Sequence, residues 1–98
     1  MTRPAPLSQH DLDDAMGSLD PHWTISDSGK LHRALKFGDF AEAFGFMAHI
    51  AIVAEKLDHH PEWSNTYNSV EIALITHDVG ALTSLDIALA VAIDKAAG

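Results

Sequence analysis

The stretch that most constrains the fold runs from Phe40 to Leu57, most of it apolar, with Gly38-Asp39 in front and Asp58-His59-His60-Pro61 behind. Asp39, with Glu42 three positions on, predicts a capping box and therefore a helix start. Apolar residues fall on more than one side of this long helix, so it needs cover from a sheet on one side and from another helix or a second subunit on the other. His49 interrupts the apolar run and is read as a partly buried histidine satisfied by a neighbour. Pro61 lacks an N–H and drives the residue before it out of the helical region, so the helix is expected to end at the histidine pair.

The rest of the chain organises itself around that helix. Residues 1–6 carry Pro4 and Pro6 and read as a loose arm. Ser8 is an N-cap candidate with Asp11 at the third helical position, and Leu12, Ala15, Met16 and Leu19 recur at helical spacing up to Gly17 and Pro21. From Trp23 to Phe37 the pattern alternates around Asp27-Ser28-Gly29, which predicts a β-hairpin with Leu31, Leu35 and Phe37 facing the core. Arg33 falls on that same face, and an edge position that lets its head reach solvent is the simplest reading. A second hairpin follows Pro61, with its turn near Tyr67-Asn68. Val70, Ile72, Leu74 and Thr76 lie on one face of its longer strand, and Glu71, Ala73, Ile75 and His77 on the other. Thr83 and Asp86 cap a last helix whose stripe is Leu85, Ala88, Leu89, Ala92 and Ile93, with Ile87 and Val91 left as core flank or oligomer contact. The order is helix, hairpin, long helix, hairpin, helix: a two-layer α+β fold with antiparallel strands in one layer and helices in the other.

Composition narrows the function classes. At 98 residues the chain is expected to form one domain spanning 1–98. Six Lys and Arg against fourteen Asp and Glu give a net charge of −8, which opposes binding to a polyphosphate backbone, so no nucleic-acid partner is expected. The sequence has no Cys, which removes disulfides and thiolate metal sites and makes a cytoplasmic location the default. No stretch approaches the ~20 continuous apolar residues of a membrane span, and the N-terminus has no signal-peptide pattern.

The chemistry concentrates between Glu55 and His77. With about 3.6 residues per turn, Glu55 and His59 stand one turn apart on one helix face with Asp58 beside them, so Glu55 is placed to orient the His59 ring. His60 diverges and is free to face a cleft, while His77 falls just past a strand end, in a loop. Histidine exchanges protons near neutral pH, so three of them beside carboxylates suit general acid–base chemistry. Two other readings stay open on the residues alone. The pair is also what a polar helix end looks like, since the dipole favours His there, and Glu55, His59 and His77 form a conceivable metal set. Asp86 likewise has a plain role as a helix-capping acid.

These residues resemble the pterin-4a-carbinolamine dehydratases. The resemblance is carried by Glu55-Lys56-Leu57-Asp58-His59-His60-Pro61-Glu62-Trp63, then Asn65, Tyr67-Asn68, Val70, Thr76-His77, Gly80, Leu82-Thr83 and Asp86, and extends back through Phe40, Ala43, Phe44, Ala54, Arg33 and Trp23. It implies four antiparallel strands with three helices on one face, in the order α-β-β-α-β-β-α, and a homodimer or homotetramer. It also implies loss of water from a 4a-hydroxytetrahydropterin to give quinonoid dihydropterin, a step of tetrahydropterin recycling that a reductase completes. No metal and no organic cofactor is implied. His59, His60 and His77 would line the pterin pocket, with Glu55, Asp58 and Asp86 as supporting acids. His60 and His77 would exchange protons, His59 would position the ring, and Glu55 and Asp86 would hold the imidazoles. Ala81 stands where the family often has a second glycine, which bears on the loop that carries His77. Family members also act as protein partners, including as a dimerisation cofactor of a homeodomain transcription factor, so an interaction module is the alternative.

Overall fold

A computed structural model describes residues 3–98; the expected loose arm lies partly outside the described residues, at Met1 and Thr2. The elements are α1 (Gln9–Ser18), β1 (Thr24–Ile25), β2 (Leu31–Lys36), α2 (Phe40–Leu57), β3 (Glu62–Thr66), β4 (Ser69–Leu74) and α3 (Ser84–Ala97). The four strands form one antiparallel sheet in the order β1-β2-β4-β3. The expected α+β order is the observed one.

Register decides which side of the sheet is buried. Leu31 faces Leu74, Arg33 faces Ile72 and Leu35 faces Val70 across the β2–β4 pair. Side chains alternate along a strand, so these residues share one face while His32, Ala34, Lys36, Glu71 and Ala73 share the other. The first face joins Ala43, Phe46, Ile50 and Ala54 of α2 and Leu89, Ala90 and Ile93 of α3 in a single core, with Leu12 and Met16 of α1 packed against it. Phe37 closes one end, its ring centroid 4.9 Å from that of Phe46. The helices thus cover one side and the other side stays open.

Ser8 accepts from the Asp11 amide as expected. Asp39 accepts from the Glu42 amide at 2.8 Å, but the Glu42 carboxylate reaches back one residue further than a capping box requires, to the Gly38 amide. The buried stripe of α3 is Asp86, Leu89, Ala90 and Ile93, with Ala88 exposed; the expected stripe was rotated because Asp86, a charged residue, was not counted as core. His49 is exposed rather than partly buried, since α2 leaves that side uncovered in the single chain.

Arg33 departs from expectation most. Its side chain is only 12% exposed, and its guanidinium donates to Asp94 at 2.6 Å with Asp20 at 3.5 Å. Asp94 also accepts from the Trp23 indole at 2.7 Å and the Asp20 amide at 2.9 Å. The head therefore turns inward, because two carboxylates replace the water it gives up. His22 and Arg33 together hold Asp20 below the usual carboxylate range, the His22 backbone amide first and its ring next. Replacing Asp94 by Ala leaves the mostly covered guanidinium with Asp20 alone, at 3.5 Å, and strands the indole N–H. The expected cost is about 3 kcal/mol, or a drop in Tm of about 15 °C, checked by thermal and urea unfolding.

Candidate active site

The helix that carries Glu55 does not run into the histidine pair. It closes at Leu57, where Asp58 takes a left-handed conformation (φ 51°, ψ 43°), the Asp58 amide bonds to the Glu55 carbonyl and the His59 amide to the Ala54 carbonyl. This Schellman closure reverses the chain before Pro61 is reached. The expected pairing of Glu55 with His59 on one helix face is therefore not formed, because His59 lies outside the helix. His59 turns inward to α3, and it is His60 that folds back onto Glu55, Nε2 to Oε1 at 2.8 Å.

His59 is buried, at 5% exposed, and its Nε2 lies 2.6 Å from Oδ1 of Asp86, which has no exposure at all. The other Asp86 oxygen accepts from the Thr83 amide at 2.9 Å and the Thr76 hydroxyl at 2.8 Å. Thr76 spends its only proton on Asp86, so the Thr83 hydroxyl, 2.7 Å away, donates to Thr76. Asp86 thus both completes the α3 capping box and anchors an imidazole.

His77 stands in the tight loop after β4, tied by the Gly80 amide to the carbonyls of Thr76 and His77. Gly80 takes the left-handed φ of 72° that the loop demands, so the alanine at position 81 is accommodated without strain. The ring is 65% exposed, and its Nε2 lies 2.7 Å from Oε2 of Glu62. Glu62 Oε1 in turn accepts from Lys30 Nζ at 2.7 Å. Asp58 pairs instead with Arg3, at 3.6 Å, and Arg3 also reaches Asp78 at 3.3 Å.

His59, His60 and His77 come together around a cavity of about 140 Å³ that Arg3, Asp58, Ile75, Thr76 and Asp78 complete. Glu55 and Asp86 sit behind its histidines rather than in its wall. A larger depression of about 370 Å³ lies on the open sheet face, between Lys36 and Thr66, and contains none of the histidines. Among the described residues no group of three or more His, Asp or Glu side chains is placed to hold a metal ion, and the Glu55–His59 pair on which a metal set was conceived does not exist. Sequence reasoning gave no role to Glu62, Thr76, Lys30 or Arg3. Thr76 was placed by its alternation with Val70, Ile72 and Leu74 on one strand face but given no chemistry, Glu62 lay inside the motif without a periodicity to single it out, and Lys30 and Arg3 come from distant segments that only folding brings near.

Residues 5–96 match the family described as pterin 4 alpha carbinolamine dehydratase. The chain belongs to this family. A Rhodospirillum rubrum protein named a pterin-4-alpha-carbinolamine dehydratase is 54% identical over 79 residues, covering 80% of this chain and 82% of that protein. The crystal structure of a transcriptional coactivator/pterin dehydratase from Brucella melitensis is 45% identical, with a TM-score of 0.90 over 95% of this chain and 99% of that one. A pterin dehydratase-like protein identified as a RuBisCO assembly factor in the alpha-carboxysome shares the fold alone, at 23% identity and a TM-score of 0.67 over 78% of this chain and 89% of that one.

The site also contains a titration handle. Lys30 first, and His77 after it, hold the Glu62 carboxyl below its ordinary 4.5. A carboxylate whose pKa is lower folded than unfolded adds stability above its unfolded value and loses it as pH falls through the folded one. The stability gap between wild type and Glu62→Gln should therefore be full at neutral pH and shrink as pH drops below about 4.5, measured by urea unfolding at stepped pH.

Proposed function

We propose that this chain is a hydro-lyase that removes water from a 4a-hydroxytetrahydropterin, with His60 and His77 as the proton-exchanging groups. The observation that carries the reading is that two exposed imidazoles, each held by its own carboxylate, border one cavity whose third imidazole is buried and anchored. Family membership supports the pterin substrate.

In the proposed step one imidazolium gives its proton to the 4a-hydroxyl as the C4a–O bond breaks and water leaves. The nitrogen lone pair at N5 forms the C4a–N5 double bond, and the other imidazole accepts the N5 proton. One histidine ends protonated and the other deprotonated, and solvent exchange restores both. The product is quinonoid dihydropterin, two electrons more oxidised than tetrahydropterin, so a reductase must consume it if the pterin is recycled. His59, with Asp86 behind it, serves as a fixed wall that positions the ring. Asp58 borders the cavity itself and pairs there with Arg3. No helix among the described residues is long and apolar enough to cross a membrane, and a cytoplasmic setting suits a substrate that hydroxylases release and reductases take up.

General acid and general base each contribute about 100-fold or more. His60→Ala and His77→Ala should each slow the decay of enzymatically generated 4a-hydroxytetrahydropterin to that degree, followed by absorbance, with circular dichroism unchanged. If each variant stays within a few-fold of wild type, the assignment is wrong.

A specific surface favours self-association as well. Phe40, Phe44 and Ile52 of α2 are 49%, 56% and 61% exposed, and Ala48 lies between them on the same side. So many apolar side chains along one helix face call for a cover, and a second copy of the chain, as homodimer or homotetramer, supplies it. The protein-interaction reading uses the same stripe. Phe44→Glu with Ile52→Glu should convert the wild-type oligomer to monomers in light scattering after gel filtration; a monomeric wild type would overturn self-association.

A further inference from the structure

The three histidines of the site share a feature that burial and position do not explain: each engages its carboxylate through Nε2. His59 hydrogen-bonds Asp86 and His60 hydrogen-bonds Glu55 through it, and His77 sets the same atom 2.7 Å from Glu62, too close for two lone pairs to face each other though not in line as a hydrogen bond. None of the three has an Nδ1 hydrogen bond among the described residues. A carboxylate only accepts, so a neutral ring held this way carries its proton on Nε2 and leaves a lone pair on Nδ1. Glu62 has the most defined setting of the two partners that face the cavity's working rings. Lys30 immediately precedes β2, Glu62 begins β3 and His77 follows β4, all at the same end of the sheet, since Leu31 pairs with Leu74 and Glu62 with Ala73. Lys30 Nζ and His77 Nε2 each meet one oxygen of the carboxylate, both at 2.7 Å, so the two groups share it without competing for the same atom.

We propose that Glu62, held by Lys30, is a positioning residue that fixes His77 as the Nε2–H tautomer and so makes Nδ1 the atom that exchanges a proton with the pterin. The inference rests on the dehydratase reading for its functional half. As acid, the His77 imidazolium releases its Nδ1 proton to the departing 4a-hydroxyl, and the ring returns to the Nε2–H form. As base, the Nδ1 lone pair takes the N5 proton. Either way Glu62 keeps Nε2–H in place and stabilises the cation, the same division of labour that a carboxylate behind a catalytic imidazole performs elsewhere.

Glu62→Gln separates this role from simple packing. Lys30 only donates, so the carboxamide oxygen turns to Lys30 and the NH₂ group faces Nε2. Nε2 must then accept, and His77 inverts to Nδ1–H with no lone pair for the substrate. The experiment is long-range ¹H–¹⁵N correlation on histidine-labelled protein at pH about 8.5, roughly two units above the ordinary histidine pKa, with His77 assigned by its loss in His77→Ala. Wild type should show a protonated Nε2 and a bare Nδ1, and Glu62→Gln the reverse, with kcat lowered about tenfold or more and KM little changed. Lys30→Met added to Glu62→Gln frees the amide to rotate and should recover part of both the Nε2–H population and kcat, which no packing role predicts. An Nδ1–H His77 in wild type, an unchanged tautomer in folded Glu62→Gln, or a double variant no better than the single overturns the proposal. Wild type that fails to accelerate dehydration overturns the dehydratase reading instead, and the tautomer is read independently of it.

Discussion

The rest of the structure depends on the buried carboxylate of Asp86. With no exposure to water it must be fully partnered, and its partners come from three segments that meet at the site: the Thr83 amide at the start of α3, the Thr76 hydroxyl after β4 and the His59 ring after α2. A charge in that setting tolerates little displacement, because each lost hydrogen bond leaves a desolvated ion uncompensated. The same group therefore starts a helix, fixes the root of the His77 loop and locks one imidazole. Site and core are one construction.

A second ionic knot stands elsewhere in the fold. Asp94 on α3 gathers Arg33 from β2, the Trp23 indole and the Asp20 amide. A chain of this size buries a modest apolar core, and the two knots pin α3 to the sheet and to the loop before β1 through directional bonds that apolar contacts alone do not provide. Between them Leu89, Ala90 and Ile93 supply ordinary packing.

The site itself shows graded exposure. His59 is sealed, His60 and His77 are open to solvent at 58% and 65%, and each has its own acid. Protons can reach the open rings from water, while the sealed one holds its geometry. That gradation follows from the left-handed turn at Asp58, which sends two adjacent histidines in opposite directions. A continuous helix would have separated them by only about 100°.

Local signals and a specific motif made much of this legible without coordinates. Ser8, Asp39 and Thr83 announced their helices because a cap is a short-range hydrogen bond, and the alternation of Val70, Ile72 and Leu74 announced a half-buried strand because a side-chain period of two is a property of the backbone. The three histidines with Glu55, Asp58 and Asp86 stood out in the sequence as one candidate set through the motif and the family resemblance. What the sequence did not decide is which acid serves which ring. Glu55 looked like the partner of His59 and is that of His60, Asp86 was expected to hold an imidazole without the ring being named and it holds His59, and Glu62 and Lys30 had no visible role. Arg33 looked solvent-bound and instead turns its head inward to Asp94, only partly exposed. The physical reason is common to all of them: caps and strand patterns are written within a few residues of each other. Ion pairs between segments exist only where chain reversal and strand register bring two distant side chains within about 3 Å, and the tertiary structure alone sets that distance.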